Sequence, residues 1–383
     1  MSATTRFTDP TLPEAPALYL ALELSNRSWK LAFSTGHGQK PRFRNVPARD
    51  LDALTREIAL ARTRFGLPDS VPLISCFEAG RDGFWIHRFL VSQPGRHNIV
   101  VDSASIEVNR RRRRLKTDRI DARKLLSMLI RYHNGEFRVW SVVHVPSPQA
   151  EDARHLHREL LTLKSNRTRV TNRIKGLLAA QGLSVSSLGR GFLDKLDDLR
   201  LWDGSALYPQ LRQRLEREWI HRCDISHRIR LIEKLQNQQL EASAPDPALE
   251  LVRQLMTLKG IGLQSAWLFT FEFFAWRNFQ NRREVGALAG FAPTPYQSGD
   301  DSFDQGISKA GSAITRAMAI QIAWGWLHFQ PNSALTLWYQ RRFASGGRRM
   351  RNIGIVAVAR RLLIELWRFS ETGVLPDGAI TSS

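Results

Sequence analysis

At 383 residues the chain is too long for one small core and should divide into two or three domains. Its 56 Lys and Arg against 36 Asp and Glu leave a formal charge of +20, a field that favours polyanions. With 43% hydrophobic residues it has cores to bury, which excludes a disordered basic tail acting on charge alone. All but ten of the cations are Arg, whose planar guanidinium pairs bidentately with phosphate. DNA, RNA or both are the expected partners. Cys76 and Cys223 stand far apart, which argues against a disulfide framework. No apolar stretch approaches a membrane span, and the Pro-bearing, acid-bearing start does not read as a leader, so a cytoplasmic, nucleoid-associated protein is expected.

Ala17 to Ser25 and Ser28 to Ser34 predict two apolar strands joined as a hairpin at Asn26 and Arg27, and Arg42 to Val46 predicts a third. Asp50 caps a helix running to about Phe65, with apolar residues near helical spacing. The unbroken run Val71 to Phe77 suits a buried strand and is followed directly by Glu78. Asp82 to Val91 reads as a helix, Asn98 to Val101 as a strand and Thr117 to Tyr132 as a helix. Three strands, helix, strand, helix, strand, helix is the order that a ribonuclease-H-like domain uses.

Beyond Pro146 and Pro148 the pattern changes to long polar helices. Ala150 to Gln181 carries Leu156, Leu160, Leu163, Val170 and Ile174 at threes and fours among many Arg, and Leu207 to Leu240 repeats the scheme. These two predict a helical hairpin or coiled coil. A Pro-bearing segment at Ser243 to Leu249 marks the next boundary. From Leu251 the chain is helical again, interrupted at Lys259 to Gly262 and at Gly290 to Gly311. The KGIG element is similar to the glycine turn of a helix-hairpin-helix, although two glycines between apolar helices ordinarily mean a packed turn. Trp324, Trp326, Trp338 and Trp367 read as core. The fold class expected is α/β plus all-α, in segments 1–145, 146–245 and 246–383.

Four carboxylates stand where a metal site on such a sheet would need them. Glu23 lies in the first strand between Leu22 and Leu24, so its side chain alternates to the face opposite both, and a buried acid needs a partner. Glu78 ends the fourth strand, and Asp118 and Asp121, three apart, share one helix face. Singly, each acid has a plain structural use as a cap, an ion-pair partner or a loop residue. Together they form an all-oxygen donor set, which selects Mg²⁺ or Mn²⁺ over zinc. Just upstream, Arg110, Arg111, Arg112, Arg113 and Arg114 run unbroken, with Lys116 beyond; such a block gains most when a phosphate backbone neutralises it. In Tyr296 to Asp301 (YQSGDD), Ser298 reads by itself as a turn serine in a polar loop, with no neighbouring base. Downstream, GISKAG leads into a helix at Ser312 with Arg316 on its first turn, an N-terminus and a cation near which a phosphate could sit.

Several stretches carry a family resemblance: ALELSNRSWKLAF, CFEAGRDGFWIHRFL, VVDSASIEVNRRRRRLKTDRIDARKL, EDARHLHREL with NRIKGLL, and LKGIG through LAGFAPTPYQSGDDSFDQGISKAG. Over nearly its whole length the chain resembles transposases of the insertion sequence 110 family, which join a RuvC-like domain bearing an acid tetrad to a C-terminal serine-bearing domain. The resemblance implies a tetrad of Glu23, Glu78, Asp118 and Asp121 on divalent metal, with Ser298 as nucleophile. It implies an RNA-guided recombinase in which a noncoding bridge RNA pairs with target and donor DNA. It also implies dimers pairing into tetramers, with composite sites shared between subunits and RNA held by the arginines of the long middle helices. The chain departs from the family pattern at Glu23, which is one methylene longer than the usual Asp. Two other activities suit the same residues: a RuvC-like junction endonuclease using water, and a nucleic-acid-binding protein whose metal site has decayed.

Overall fold

The computed structural model describes residues 16–80, 82–106, 118–185, 187–189, 191–242, 245–298 and 301–382, and only the backbone of 296–298 and 301–304. It divides into two compact units, residues 1–145 and 146–383.

The first unit is a five-stranded mixed sheet with helices on its faces. Its strands are β1 (Leu18–Glu23), β2 (Ser28–Ser34), β3 (Arg42–Pro47), β4 (Leu73–Glu78) and β5 (Arg96–Val101), in the order β3-β2-β1-β4-β5. The first three pair antiparallel, and β1, β4 and β5 run parallel. Strand alternation sorts the side chains into two cores. Leu18, Leu20, Leu22, Trp29, Leu31 and Phe77 pack with α1 (Leu51–Phe65) and α2 (Trp85–Val91). Ala17, Tyr19, Ala21, Ile74 and Cys76 pack against α3 (Asp118–His133). Asp50 caps α1 as expected, accepting from the Ala53 N–H at 2.8 Å, and Gly66 closes it at φ 65°. The helix expected from Asp82 begins instead at Trp85, because Gly83 holds a left-handed turn at φ 70° just before it.

The second unit is almost entirely helical and contains two apolar cores. One lies between α5 (His155–Ala179) and α7 (Pro209–Glu241), with the short α6 (Phe192–Leu196) plugging it through Phe192, whose ring sits 4.9 Å from Trp219. Ion pairs Lys164–Glu233 at 3.0 Å and Arg173–Glu218 at 2.8 Å show that the two long helices run antiparallel. The first predicted long helix is broken: a separate turn, α4 (Pro148–Asp152), ends at Ala153 before α5 begins. The second core is built by α8 (Pro247–Met256), α9 (Leu263–Leu268), a wide π-helical turn at Phe269–Phe274, α10 (Arg282–Leu288), α11 (Ala313–Phe329), α12 (Ala334–Tyr339) and α13 (Arg348–Thr372). A hairpin of β6 (Pro293–Ser298) and β7 (Asp301–Ile307) interrupts it.

Lys259–Gly262 is a packed turn. Gly260 (φ 94°) lies against Phe329, and the Lys259 N–H donates to the Ile380 carbonyl at 3.1 Å, so the C-terminal tail covers the turn. Of the tryptophans expected in the core, Trp326 is buried and Trp338 and Trp367 pack on the core's margin, but Trp324 is 48% exposed. It falls on the outer face of α11, away from the stripe of Thr315, Ala319, Ala323 and Trp326. No helix among the described residues is long and apolar enough to cross a membrane.

Candidate functional site

The sheet brings the four predicted acids to one corner of the first unit. The β1–β4 register pairs Leu22 with Phe77, so the next positions, Glu23 and Glu78, stand at matching ends of neighbouring parallel strands. Leu22 and Phe77 belong to the core under α1, so alternation turns Glu23 and Glu78 to the opposite face, the one α3 covers. Helix α3 runs antiparallel to β1. Near its far end His133 Nδ1 lies 2.8 Å from the Tyr19 hydroxyl, and midway the Cys76 thiol reaches the Leu125 carbonyl at 3.9 Å. Its first turn, carrying Asp118 and Asp121, therefore projects toward the strand ends that carry the two glutamates. Ala122 and Leu125 are buried on the sheet, and Asp118 and Asp121 continue that stripe one turn outward.

The four acids thus sit on elements directed toward one corner, and an all-oxygen set of this kind suits Mg²⁺ or Mn²⁺. The side chains do not converge: among the described residues no three His, Cys, Asp or Glu are placed to hold a metal ion. Glu78 and Asp118 are exposed at the rim, while Glu23 and Asp121 are half-buried. Lys30 lies directly opposite Glu23 on β2, on the same face, and puts a cation at the corner that the sequence reading did not single out. Its signal was available in the pattern, since Trp29 and Leu31 on either side are buried against α1. Arg119 and Arg123 lie over the Phe43 ring at 4.8 and 5.5 Å, so neither is the plain salt-bridge partner that the helix sequence suggests for Asp121. Arg110 to Arg114 and Lys116 lie outside the described residues.

Ser298 lies in the other unit. It is the last paired residue of β6, opposite Asp301, so it ends a strand and does not sit in an irregular loop; Gly299 and Asp300 lie outside the described residues. The root of the hairpin is clamped. Ser308 N–H donates to the Ala292 carbonyl at 2.8 Å, Lys309 N–H to Gly290 at 3.1 Å and Ser312 N–H to Leu288 at 2.9 Å. Glycine is required for that approach: a Cβ on Gly290 (φ 76°) would lie 2.5 Å from the Ala310 carbonyl oxygen, and one on Gly311 (φ 105°) 2.2 Å from that of Leu288. Arg316, expected beside a phosphate, instead donates to the Ala289 and Lys309 carbonyls at 3.1 and 3.2 Å and braces the clamp.

The second unit also contains a buried ion cluster. Glu272, on the π-helical turn, accepts from His157 Nε2 at 2.8 Å and from Arg158 at 2.5 and 2.9 Å. Burial alone would raise its carboxyl, but the hydrogen bonds from Arg158 and His157 outweigh it and hold the group at about 2. Next to it, burial and the neighbouring Arg154 pull Arg277 down to about 9, still charged at neutral pH, and its guanidinium stacks on Trp276 at 3.8 Å. An acid inside the apolar run FTFEFF is the signal that could have flagged it.

Residues 252–338, which include the hairpin and its clamp, match the model of the transposase IS116/IS110/IS902 family. The chain is 40% identical over 394 residues to y4rJ of Sinorhizobium fredii (strain NBRC 101917 / NGR234), a protein provisionally named a transposase, covering 96% of this chain and 97% of y4rJ. It is 28% identical to the transposase for insertion sequence element IS1328 of Yersinia enterocolitica, over 47% of this chain and 52% of the relative. With the transposase for insertion sequence element IS1111A of Coxiella burnetii it shares 24% identity over 54% of each. A match of this length and identity makes the chain a member of the IS116/IS110/IS902 family of insertion-sequence transposases.

Proposed function

We propose that this transposase is an RNA-guided DNA recombinase that cuts and rejoins strands through a phosphoserine link at Ser298. The observation that supports the reading is that Glu23 and Glu78 end adjacent parallel strands on the face packed against α3, whose first turn bears Asp118 and Asp121. In a ribonuclease-H-like sheet this is the corner where catalytic acids belong, and these four residues would hold Mg²⁺ or Mn²⁺. A divalent ion bound there would supply positive charge to the phosphoryl group as its charge redistributes. Ser298 Oγ attacks the phosphorus, the bond to the leaving deoxyribose oxygen breaks, and the serine proton leaves to solvent or to that oxygen. The phosphoester energy is kept in the link, so the reverse attack by a new strand hydroxyl rejoins DNA without ATP. The rigid hairpin root would fix where that hydroxyl stands.

On this reading the acids (1–145), the antiparallel middle helices (146–245) and the serine segment (246–383) divide the work. A noncoding bridge RNA would lie on arginines of the middle helices and select target and donor DNA. Two chains, pairing into tetramers, would complete each site. The supports are the elements that carry the four acids, the family membership and the charge of +20. The test supplies bridge RNA, Mg²⁺ and both DNAs and looks for a covalent protein–DNA adduct on denaturing gels. Wild type should form it only with the RNA, and Ser298→Ala should form none. Cutting that survives Ser298→Ala but not Asp118→Ala would replace the serine with water.

A further inference from the structure

The C-terminal unit contains a groove of about 1630 Å³ running along α13, bounded by the start of α10 and by the root of the β6–β7 hairpin at Pro293 and Gln305 to Ile307. Arg282, Arg283, Arg342, Arg348, Arg349 and Arg360 line it. None of these guanidiniums makes a hydrogen bond or ion pair within the described residues. The acids in the lining are Glu365, which is paired with Arg368 at 3.0 Å, and Asp377. Cations facing one another across a groove repel, and a bound polyanion is the ligand that relieves them.

We propose that this groove holds the phosphate backbone of duplex DNA leading to the strand presented to Ser298, a proposal that rests on Ser298 being the attacking group. Arg349 and Arg360 are eleven residues apart on one helix, which returns them to nearly the same face and lays them roughly 16 Å apart along the groove, so one polyanion can meet both. The position favours DNA over guide RNA. The groove opens at the root of the hairpin whose tip carries Ser298, and β6 covers that interval in about 17 Å at 3.4 Å per residue. A phosphate attacked at the tip has its flanking duplex within that distance.

The test uses the full chain carrying Ser298→Ala, so that no covalent capture intervenes, and measures anisotropy of a fluorescent 30-base-pair duplex across a salt series without RNA. Arg342→Gln with Arg349→Gln removes two exposed cations that make no internal bond. The pair should weaken duplex binding roughly 30-fold at 0.15 M salt and lower the slope of log affinity against log salt by about 1.8. Arg341→Gln with Arg351→Gln removes the same charge from exposed positions outside the lining and should change affinity less than twofold. Unchanged circular dichroism melting for both pairs keeps the comparison clean. Equal binding by the two pairs would overturn the proposal. An adduct formed by Ser298→Ala protein with an unaltered groove would instead overturn the nucleophile, a separate readout.

Discussion

Glu272 shows what one residue does for the helical unit. Its carboxylate is buried with His157 and bound by Arg158, two residues of α5 more than a hundred positions away, and so fastens the long helix to the second core. The folded group sits at about 2 against an ordinary 4.5, so its contribution is complete above pH 4.5 and is lost as pH falls toward 2. That interval corresponds to about 3 kcal/mol. Glu272→Gln should therefore cost about 3 kcal/mol in guanidinium unfolding at pH 7, and the gap from wild type should close between pH 4.5 and 2. Glu23 tests the proposed metal site directly. With the carboxylate kept and shortened, Glu23→Asp should retain adduct formation; Glu23→Gln should lose at least about a hundredfold of its rate, read in the same adduct assay. A Gln variant as active as wild type would remove Glu23 from the site.

Elements impose their own constraints. The hairpin that bears Ser298 depends on two glycines where backbone meets backbone, so Gly311→Ala should cost more than about 1 kcal/mol by thermal unfolding and reduce adduct formation by moving the hairpin. Gly36, also at positive φ but with open space around it, is the control for a glycine without such an approach. In the antiparallel pair of α5 and α7, Ile174 is fully buried whereas Arg173, beside it, forms a half-exposed ion pair with Glu218. Ile174→Ala should cost about 2–5 kcal/mol and Arg173→Ala under about 1 kcal/mol, because cavity formation outweighs a screened surface pair. Comparable losses by chemical denaturation would mean that the helices are held by charge.

For the whole molecule, the division between Val145 and Pro146 predicts that residues 16–145 and 146–383, expressed separately, each unfold cooperatively. Much of the first unit was legible because its signals are local. Asp50 stands one residue before its helix, apolar runs mark β1, β2 and β4, and Glu23 between two leucines announces a side chain on the other face. The β6–β7 hairpin was not legible, since PTPYQS carries two prolines and polar residues that conceal a strand. Nor were the Glu272 cluster and the groove, whose members come from α5, α10, the turn after α12, and α13 and look singly like solvated charges. By itself the sequence determined the order of strands and helices in the first unit, the polyanion-seeking charge and which four acids stand at strand and helix ends, because period, capping and composition act over a few residues. Only the tertiary structure decided that β1 and β4 end side by side under the start of α3, that glycines clamp the hairpin, and that scattered arginines share one groove. Those facts depend on which separate segments pack together, and pairing across tens of residues leaves no mark on any local window.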